Sequence, residues 1–274
     1  MKIIVLMKQV ANKDAVLRIG PDEKWINESD VAQQTNESDG YALEEALRLK
    51  EAKGEGEVIV CSLGPQSAKT VIKDALARGA DRAIHVIHDK PNKLSPYQIA
   101  KAIGDAIREE NADLVFAGLQ SDDASYGQTG VILAELLGIP HATIVIEVDR
   151  SSLTTPSAEA AATPPKTGGE PSLRVKRELE SGWYQWFAYQ LPALFTIQSG
   201  ISQIRYASLK GIMAAKKKEI RDVTTSVEAF TSGATVEKVY MPLKTKQTQM
   251  LGGGDTKAGA VELVEKLKTE VRVL

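Results

Sequence analysis

The chain has 274 residues, of which 43% are hydrophobic and 26% are charged. This composition is that of a globular protein with a substantial core in one large domain or two small ones, and it excludes disulfide-stapled mini-proteins. The 34 Lys and Arg residues against 36 Asp and Glu give a net charge of -2, which excludes the strongly basic surface of a typical nucleic-acid-binding protein.

Apolar runs alternate with segments of helical periodicity over roughly residues 1–150. Predicted strands cover residues 2–7, 57–62, 82–86, 114–117 and 142–148, and predicted helices cover residues 41–52, 67–78, 95–109 and 128–137. The first helix places Leu43, Ala46 and Leu47 on one face and has Asp39 available as its N-cap. This alternation predicts an α/β fold, with a doubly wound, mostly parallel sheet and helices on both of its faces.

The pattern changes after the fifth predicted strand. Residues 151–171 are rich in Ser, Thr, Ala, Pro and Gly, which predicts an exposed loop. Residues 173–180 and 183–191 predict an antiparallel hairpin, and residues 193–198 predict one more strand, so antiparallel strands should extend the sheet. The chain is completed by a predicted helix over residues 208–217, a polar connector over 224–235, a glycine hinge at 252–254 and an amphipathic helix over 258–270.

Cysteine and histidine are too few for several kinds of chemistry. The single Cys61 cannot form an internal disulfide, and its apolar surroundings predict a buried strand. The 3 histidines share no metal-like spacing with it, so we expect neither a metal site nor a Cys/His nucleophilic pair. No run approaches the roughly 18 apolar residues of a membrane span, and no signal peptide precedes the first strand. We therefore expect a cytoplasmic protein without membrane insertion.

The strongest local signal is the loop between the strand at 114–117 and the following helix. Its residues are Gly118, Leu119, Gln120, Ser121, Asp122, Asp123, Ala124, Ser125, Tyr126, Gly127, Gln128, Thr129 and Gly130. Small residues at the carboxyl end of a parallel strand let helix N-terminal amides approach an anion closely, which favours a phosphate near Gln128 and Thr129. The loop matches neither the Walker loop nor the Gly-x-Gly-x-x-Gly fingerprint, and a plain helix cap explains these residues equally well.

Three further segments should converge on the same edge of the sheet. They are residues 6–10, beginning with Leu6, residues 36–39, which are Asn36, Glu37, Ser38 and Asp39, and residues 62–65, which include Leu63. Each alone reads as an ordinary turn. If the sheet is parallel as predicted, together with the loop they would enclose a nucleoside whose phosphate meets the helix amides.

A second signal lies in the helix predicted over residues 208–217. Leu209, Ile212 and Met213 share one helical face, and a run of lysines follows. Composition alone favours a core-packed helix with a solvated basic end. The alternative is a protruding element that inserts Leu209 into a hydrophobic pocket of a partner protein.

Five aromatic residues fall within seven positions of the predicted hairpin: Trp183, Tyr184, Trp186, Phe187 and Tyr189. Alternation along a strand would place half of them in the core and half at a subunit interface, which we prefer to stacking on a flavin or a base. The titratable residues form no recognisable triad, so no catalytic residue is predicted.

These segments, taken in order, resemble the beta subunit of electron transfer flavoprotein (ETF). The resemblance is carried by residues 5–10, 36–51, 79–82, 122–130, 191–193 and 205–218. It implies a nucleotide-binding domain over residues 1–235, of the adenine nucleotide alpha hydrolase-like type, with a recognition loop at 197–219. A C-terminal helical arm, residues 236–274, would pack on an alpha subunit.

The resemblance also implies an electron-carrier subunit rather than an enzyme. The alpha subunit would hold most of one FAD, and this chain would bind AMP at Leu6, Asn36 to Asp39, Leu63 and Gly118 to Thr129. Leu209, with Tyr206, Ile212 and Met213, would dock flavin dehydrogenases such as acyl-CoA dehydrogenases, and Glu178 would pair across the subunits. Electrons would pass onward to a quinone oxidoreductase.

Two alternatives remain open. Electron-bifurcating members of the family hold a second FAD in place of AMP and use NADH as donor. Thr129 and Val131 favour AMP, although Tyr126 departs from the common loop and would reshape the pocket. A nucleotide-binding module of the universal-stress type shares the doubly wound sheet but leaves the Leu209 helix unexplained.

Overall fold

The computed structural model of the chain describes residues 1–28, 31–154, 172–225, 236–242 and 248–273. They fall into two compact units, Met1–Glu237 and Lys238–Leu274. Most of the loop predicted over 151–171 and of the connector predicted over 224–235 lies outside the described residues. Within those described, no helix combines the length and the apolar character that crossing a bilayer requires.

The first unit is built on one large sheet. In chain order the strands are β1 (Lys2–Leu6), β2 (Gln9–Ala11), β3 (Gln33–Thr35), β4 (Glu57–Gly64), β5 (Arg82–Ile87), β6 (Leu114–Gly118), β7 (His141–Asp149), β8 (Ser172–Glu178), β9 (Tyr184–Gln190), β10 (Ala193–Ile197) and β11 (Ile220–Thr224). The helices are α1 (Glu37–Lys53), α2 (Lys69–Arg78), α3 (Pro96–Ile107), α4 (Thr129–Leu137) and α5 (Leu209–Ala215), followed in the second unit by α6 (Thr256–Lys266).

Nine strands form the sheet in the order β11-β5-β4-β1-β6-β10-β7-β8-β9, and β2 pairs with β3 in a separate antiparallel ribbon. The pairs from β11 to β7 are all parallel, whereas β8 and β9 continue the sheet in antiparallel fashion. The predicted fold class is therefore confirmed. Because β1 lies between β4 and β6, the strand order reverses beside β1, and a crevice opens there at the carboxyl ends of the strands.

Both faces of the sheet are covered because successive residues of each strand point to opposite sides. In β1, Ile3 and Val5 belong to the core cluster that α1 and α2 cover. Ile4 and Leu6 belong to the cluster that α3 and α4 cover. All four side chains are buried, which is typical of a parallel strand between two helical layers.

Two predictions about local structure were wrong. Helix α1 begins at Glu37 rather than near residue 41, and Asp39 is not its N-cap, because its carboxylate accepts backbone N–H bonds from Lys8 and Gly118 instead. Strand β11 was not predicted, because its sequence is half polar. Among the described strands it pairs with β5 alone, at the edge of the sheet, and the Lys69 ammonium lies 2.7 Å from the Asp222 carboxylate within it.

Helix α5 packs on α2 at very close range. A Cβ atom at Gly211 would lie 2.1 Å from the carbonyl oxygen of Ala77, so only glycine allows this approach. Ser208 caps the helix by accepting the N–H of Gly211 at 3.0 Å. Beyond the helix, the Lys218 ammonium donates to the carbonyls of Leu76 and Ala80. These contacts fix α5 to the body of the unit.

The second unit contains α6, which Asp255 caps by accepting the N–H of Lys257 at 2.9 Å. The predicted glycine hinge forms a short 3₁₀ turn, Gly252–Gly254, before this helix. A π-helical turn, Leu267–Val271, follows α6.

We predict that Gly211→Ala lowers the stability of the protein by about 1–3 kcal/mol, because the added methyl group must push α5 away from α2. Lys210→Ala is the matched control, since Lys210 is exposed on the same helix. Thermal unfolding of the two full-length variants checks this. Equal unfolding temperatures would contradict the tight α5–α2 contact.

Candidate functional site

A cavity of about 490 Å³ opens at the crevice beside β1. Its walls come from the carboxyl ends of β1, β4 and β6, the start of α4, and α3. The predicted site residues that line it are Leu6, Asn36, Asp39, Leu63, Gly118, Leu119, Gln120, Ser121, Asp123, Ala124, Tyr126, Gly127, Gln128 and Thr129. Segments that are far apart in sequence thus meet at one place, as the predicted topology required.

Four of the predicted site residues shape the loop rather than line the cavity. The Ser38 hydroxyl donates to the carbonyl of Gln120 at 2.8 Å, and the Asp122 carboxylate accepts the N–H of Glu37 at 3.1 Å. The Ser125 hydroxyl donates to the carbonyl of Ser121 at 3.0 Å. Glu37, Ser38, Asp122 and Ser125 therefore hold the loop in shape.

Asn36 ties the start of α1 to the loop after β6. Its side-chain amide donates to the carbonyl of Gln120 at 3.0 Å, and its side-chain oxygen accepts the N–H of Asp122 at 2.9 Å. The residue is 1% exposed, so both bonds are shielded from water. Buried hydrogen bonds of this kind are costly to leave unmade, and they fix the position of the loop.

Asp39 holds the centre of the site. Its two carboxylate oxygens accept the N–H of Lys8 at 2.7 Å and the N–H of Gly118 at 3.0 Å. Burial nevertheless raises the pKa of Asp39 to about 7, against the opposing effect of these N–H donors. A Cβ atom at position 118 would lie 2.2 Å from the Asp39 carboxylate, so this approach requires the glycine.

Helix α4 points its N-terminus at the cavity. Gln128 occupies the N-cap position, but its side chain makes no capping hydrogen bond. Gly127, with φ of 62°, turns the chain into the helix. A Cβ atom at Gly130 would lie 2.8 Å from the Thr196 side chain, so glycine lets α4 pack closely on β10. The first N–H groups of a helix lack intrahelical partners and carry partial positive charge, which suits an anion.

Several lining residues were not predicted as site residues. Lys8 lies two residues after β1, within the segment 6–10 that was expected at this edge, but its side chain was not named as a site residue. Another part of the wall is formed by Trp25 and Glu28, in a segment to which the sequence assigned no role, and by Val236, the first residue of the predicted C-terminal arm. The Lys24 ammonium donates to the carbonyl of Val236 at 2.9 Å.

Cys61 also lines the cavity and is fully buried in β4, as its apolar surroundings predicted. Burial raises the pKa of its thiol to about 12. The side chain is therefore a neutral thiol at physiological pH and acts as apolar wall rather than as a nucleophile.

A separate surface lies on α5 and the residue run before it. The residues predicted to dock a partner are exposed: Tyr206 by 96%, Leu209 by 78%, Met213 by 56% and Ile212 by 45%. The reading from composition alone, a core-packed helix, is wrong, because Gly211 rather than the larger residues faces α2. We call these four residues the apolar knob.

Charge pairs anchor the chain beside the knob. The Arg205 guanidinium contacts the carboxylates of Glu44, at 2.9 Å, and of Glu51 on α1. Although burial alone would raise the pKa of Glu44, the guanidinium groups of Arg205 and Arg48 hold that pKa below its usual value. The knob is therefore exposed on a fixed support.

The aromatic side chains of β9 alternate between the inner and the outer face of the sheet, as the sequence predicts. Phe187 and Tyr189 face inward, and the Tyr189 ring packs edge-on against Phe195 at 5.2 Å between centroids. Trp183, before the strand, and Tyr184 are exposed. Glu178, at the end of β8, is half-buried and lies opposite Tyr184.

Comparison with known proteins gives a consistent answer. Residues 24–228 match the family model of the electron transfer flavoprotein domain. The chain is 32% identical to the electron transfer flavoprotein subunit beta of Methylophilus methylotrophus, with 98% of this chain and 99% of that protein covered. It is 34% identical to the mitochondrial subunit beta of Arabidopsis thaliana over the full length of both, and 33% identical to the human subunit beta over 80% of each.

We predict that the Asp39 carboxyl group titrates near pH 7 in the folded chain. The unfolded chain releases this proton at about pH 4, so this group makes the folded state less stable as the pH rises from about 4 to about 7, by at most about 1.4 kcal/mol per pH unit. The carboxyl ¹³C shift, assigned by its absence from Asp39→Asn, checks the midpoint. A midpoint below 4 would show that the backbone donors outweigh burial.

Proposed function

The chain belongs to the electron transfer flavoprotein family as a beta subunit, and we propose that it binds AMP in the cavity, supports the FAD-bearing domain of an alpha subunit and docks flavin dehydrogenases with the apolar knob. In this scheme it works in the cytoplasm as an electron-carrier subunit. Electrons leave the complex toward a quinone oxidoreductase.

The observation that carries the AMP proposal is the cavity at the start of α4. Its volume of about 490 Å³ suits a nucleotide-sized ligand, and Gly118 and Gly130 let the end of β6 and the start of α4, which line it, pack closely on Asp39 and on Thr196. Leu6, Leu63 and Ile103 offer apolar surface for a base, whereas the N–H groups near Thr129 offer donors for a phosphate. The residues present fit AMP.

The proposal for docking rests on the exposure and support of the knob. Apolar side chains exposed on a fixed helix are typical of an interface hot spot, where a few residues supply most of the binding energy. A small contact also allows rapid release, which a carrier that visits several partners needs. We further propose that Glu178 pairs with the alpha subunit and that the arm at residues 236–274 packs on it.

FAD, when bound in the complex, supplies the redox chemistry. The residues of this chain bind, orient and dock, and none of them is proposed to make or break a bond. Membership of the family argues against the universal-stress alternative, because the family reading gives the knob a docking role and the C-terminal arm a role in packing on the alpha subunit. The bifurcating alternative, with a second FAD in place of AMP, is decided by nucleotide content.

We predict that the heterodimer purified after co-expression with its alpha subunit releases one AMP and one FAD on denaturation. Liquid chromatography with mass detection of the released nucleotides measures both. Two FAD molecules and no AMP would replace the proposal with the bifurcating form. FAD without any second nucleotide would contradict a nucleotide in the cavity.

Leu209→Ala should slow electron acceptance from a reduced acyl-CoA dehydrogenase roughly tenfold or more, because the side chain is the proposed anchor. AMP and FAD content should not change. Val16→Ala is the matched control, since Val16 is an apolar residue that is 81% exposed elsewhere on the chain. Stopped-flow flavin absorbance measures the rate. An unchanged rate, or loss of either nucleotide, would refute the docking role.

A further inference from the structure

Lys8 occupies a special position in the cavity wall. It follows β1 at the point where the strand order reverses, and its side chain is 34% exposed. Of the described residues that line the cavity, it is the one with a basic side chain, while Glu28, Asp39 and Asp123 are acidic. The wall therefore carries more potential negative than positive charge.

The Lys8 ammonium is held in place by the loop after β6. It lies 2.6 Å from the Asp123 carboxylate and 3.3 Å from the Ser121 hydroxyl. The Asp123 side chain is 18% exposed and also accepts the N–H of Ala124 at 2.7 Å. Burial alone would raise the pKa of Asp123, but the charge of Lys8 and the hydrogen bonds from Lys8, Ser121 and Ala124 together hold that pKa below its usual value, so Asp123 is a carboxylate at neutral pH.

The backbone of Lys8 is fixed as well, because its N–H donates to the buried Asp39 carboxylate at 2.7 Å. The ammonium therefore moves only by rotation of its own four-carbon stem. An ammonium group has three donors, so it can keep a bond to Ser121 or Asp123 and still donate to a ligand.

A phosphate monoester carries about −1.5 to −2 charges at neutral pH. The N-terminus of α4 offers the equivalent of roughly half a positive charge, which is too little to balance it beside acidic walls. We infer that Lys8 is the cationic ligand of the nucleotide phosphate, that Ser121 and Asp123 keep its ammonium at the cavity wall, and that the phosphate competes with Asp123 for that ammonium. This inference rests on the proposed function and names a residue that the family resemblance did not assign to the site.

The test compares AMP with adenosine, which lacks the phosphate. Lys8→Met in the nucleotide-stripped heterodimer should weaken AMP binding about ten- to hundredfold in isothermal titration calorimetry and change adenosine binding less than about twofold. Lys8→Arg should retain most of the AMP affinity. Lys69→Met is the matched control, because Lys69 pairs with Asp222 and is not among the residues lining the cavity.

Each outcome bears on a different claim. An equal loss of AMP and adenosine affinity in Lys8→Met would make Lys8 a structural residue, and no loss of either would leave it without a role, so both results overturn the inference. A wild-type heterodimer that binds neither compound would instead overturn the proposed function itself.

Asp123→Asn provides a second variant that does not depend on the folding of Lys8→Met. It removes the charge that competes with the phosphate for Lys8, so AMP should bind severalfold more tightly while adenosine binding stays the same. Weaker AMP binding in Asp123→Asn would show that Asp123 assists phosphate binding instead of competing for Lys8, and would overturn the stated role of the pair.

Discussion

The Asp39 carboxylate joins three of the segments that build the site. It accepts one N–H from the chain after β1 and one from the end of β6, and it is itself carried by the first turn of α1. The close approach demands Gly118 and requires Asp39 to be buried. Because burial raises the pKa of Asp39, this arrangement destabilises the folded state. The same arrangement shapes the cavity beside β1, where the strand order reverses.

The same unit holds two candidate functional surfaces by different structural means. The cavity depends on glycines and on buried hydrogen bonds from Asn36 and Asp39, which keep backbone groups at fixed positions. The apolar knob depends on the glycine contact of α5 with α2 and on the Arg205 charge pairs, which leave Leu209 exposed. Under the proposed function, a rigid nucleotide site and an outward anchor suit a subunit that stays assembled while its redox partners bind and leave.

The sequence predicted the sheet and the convergence of its loops because apolar periodicity records burial, and the burial pattern of a parallel sheet is simple. It failed where tertiary contacts override local preference. Asp39 looks like a helix cap, but two distant N–H groups capture it. Strand β11 lies at the edge of the sheet and is only partly buried, so its sequence lacks the apolar run of a central strand. The exposure of Leu209 depends on the contact of Gly211 with α2, which apolar periodicity does not encode.

The most direct test is a crystal structure of the heterodimer with adenosine 5′-monophosphorothioate, whose sulfur gives an anomalous signal. The account predicts a sulfur peak within about 4 Å of the backbone nitrogens at the start of α4, since charged ligands of helix N-termini lie at hydrogen-bond range. A fully bound analogue whose sulfur peak lies away from α4, or a cavity filled by side chains, would contradict it.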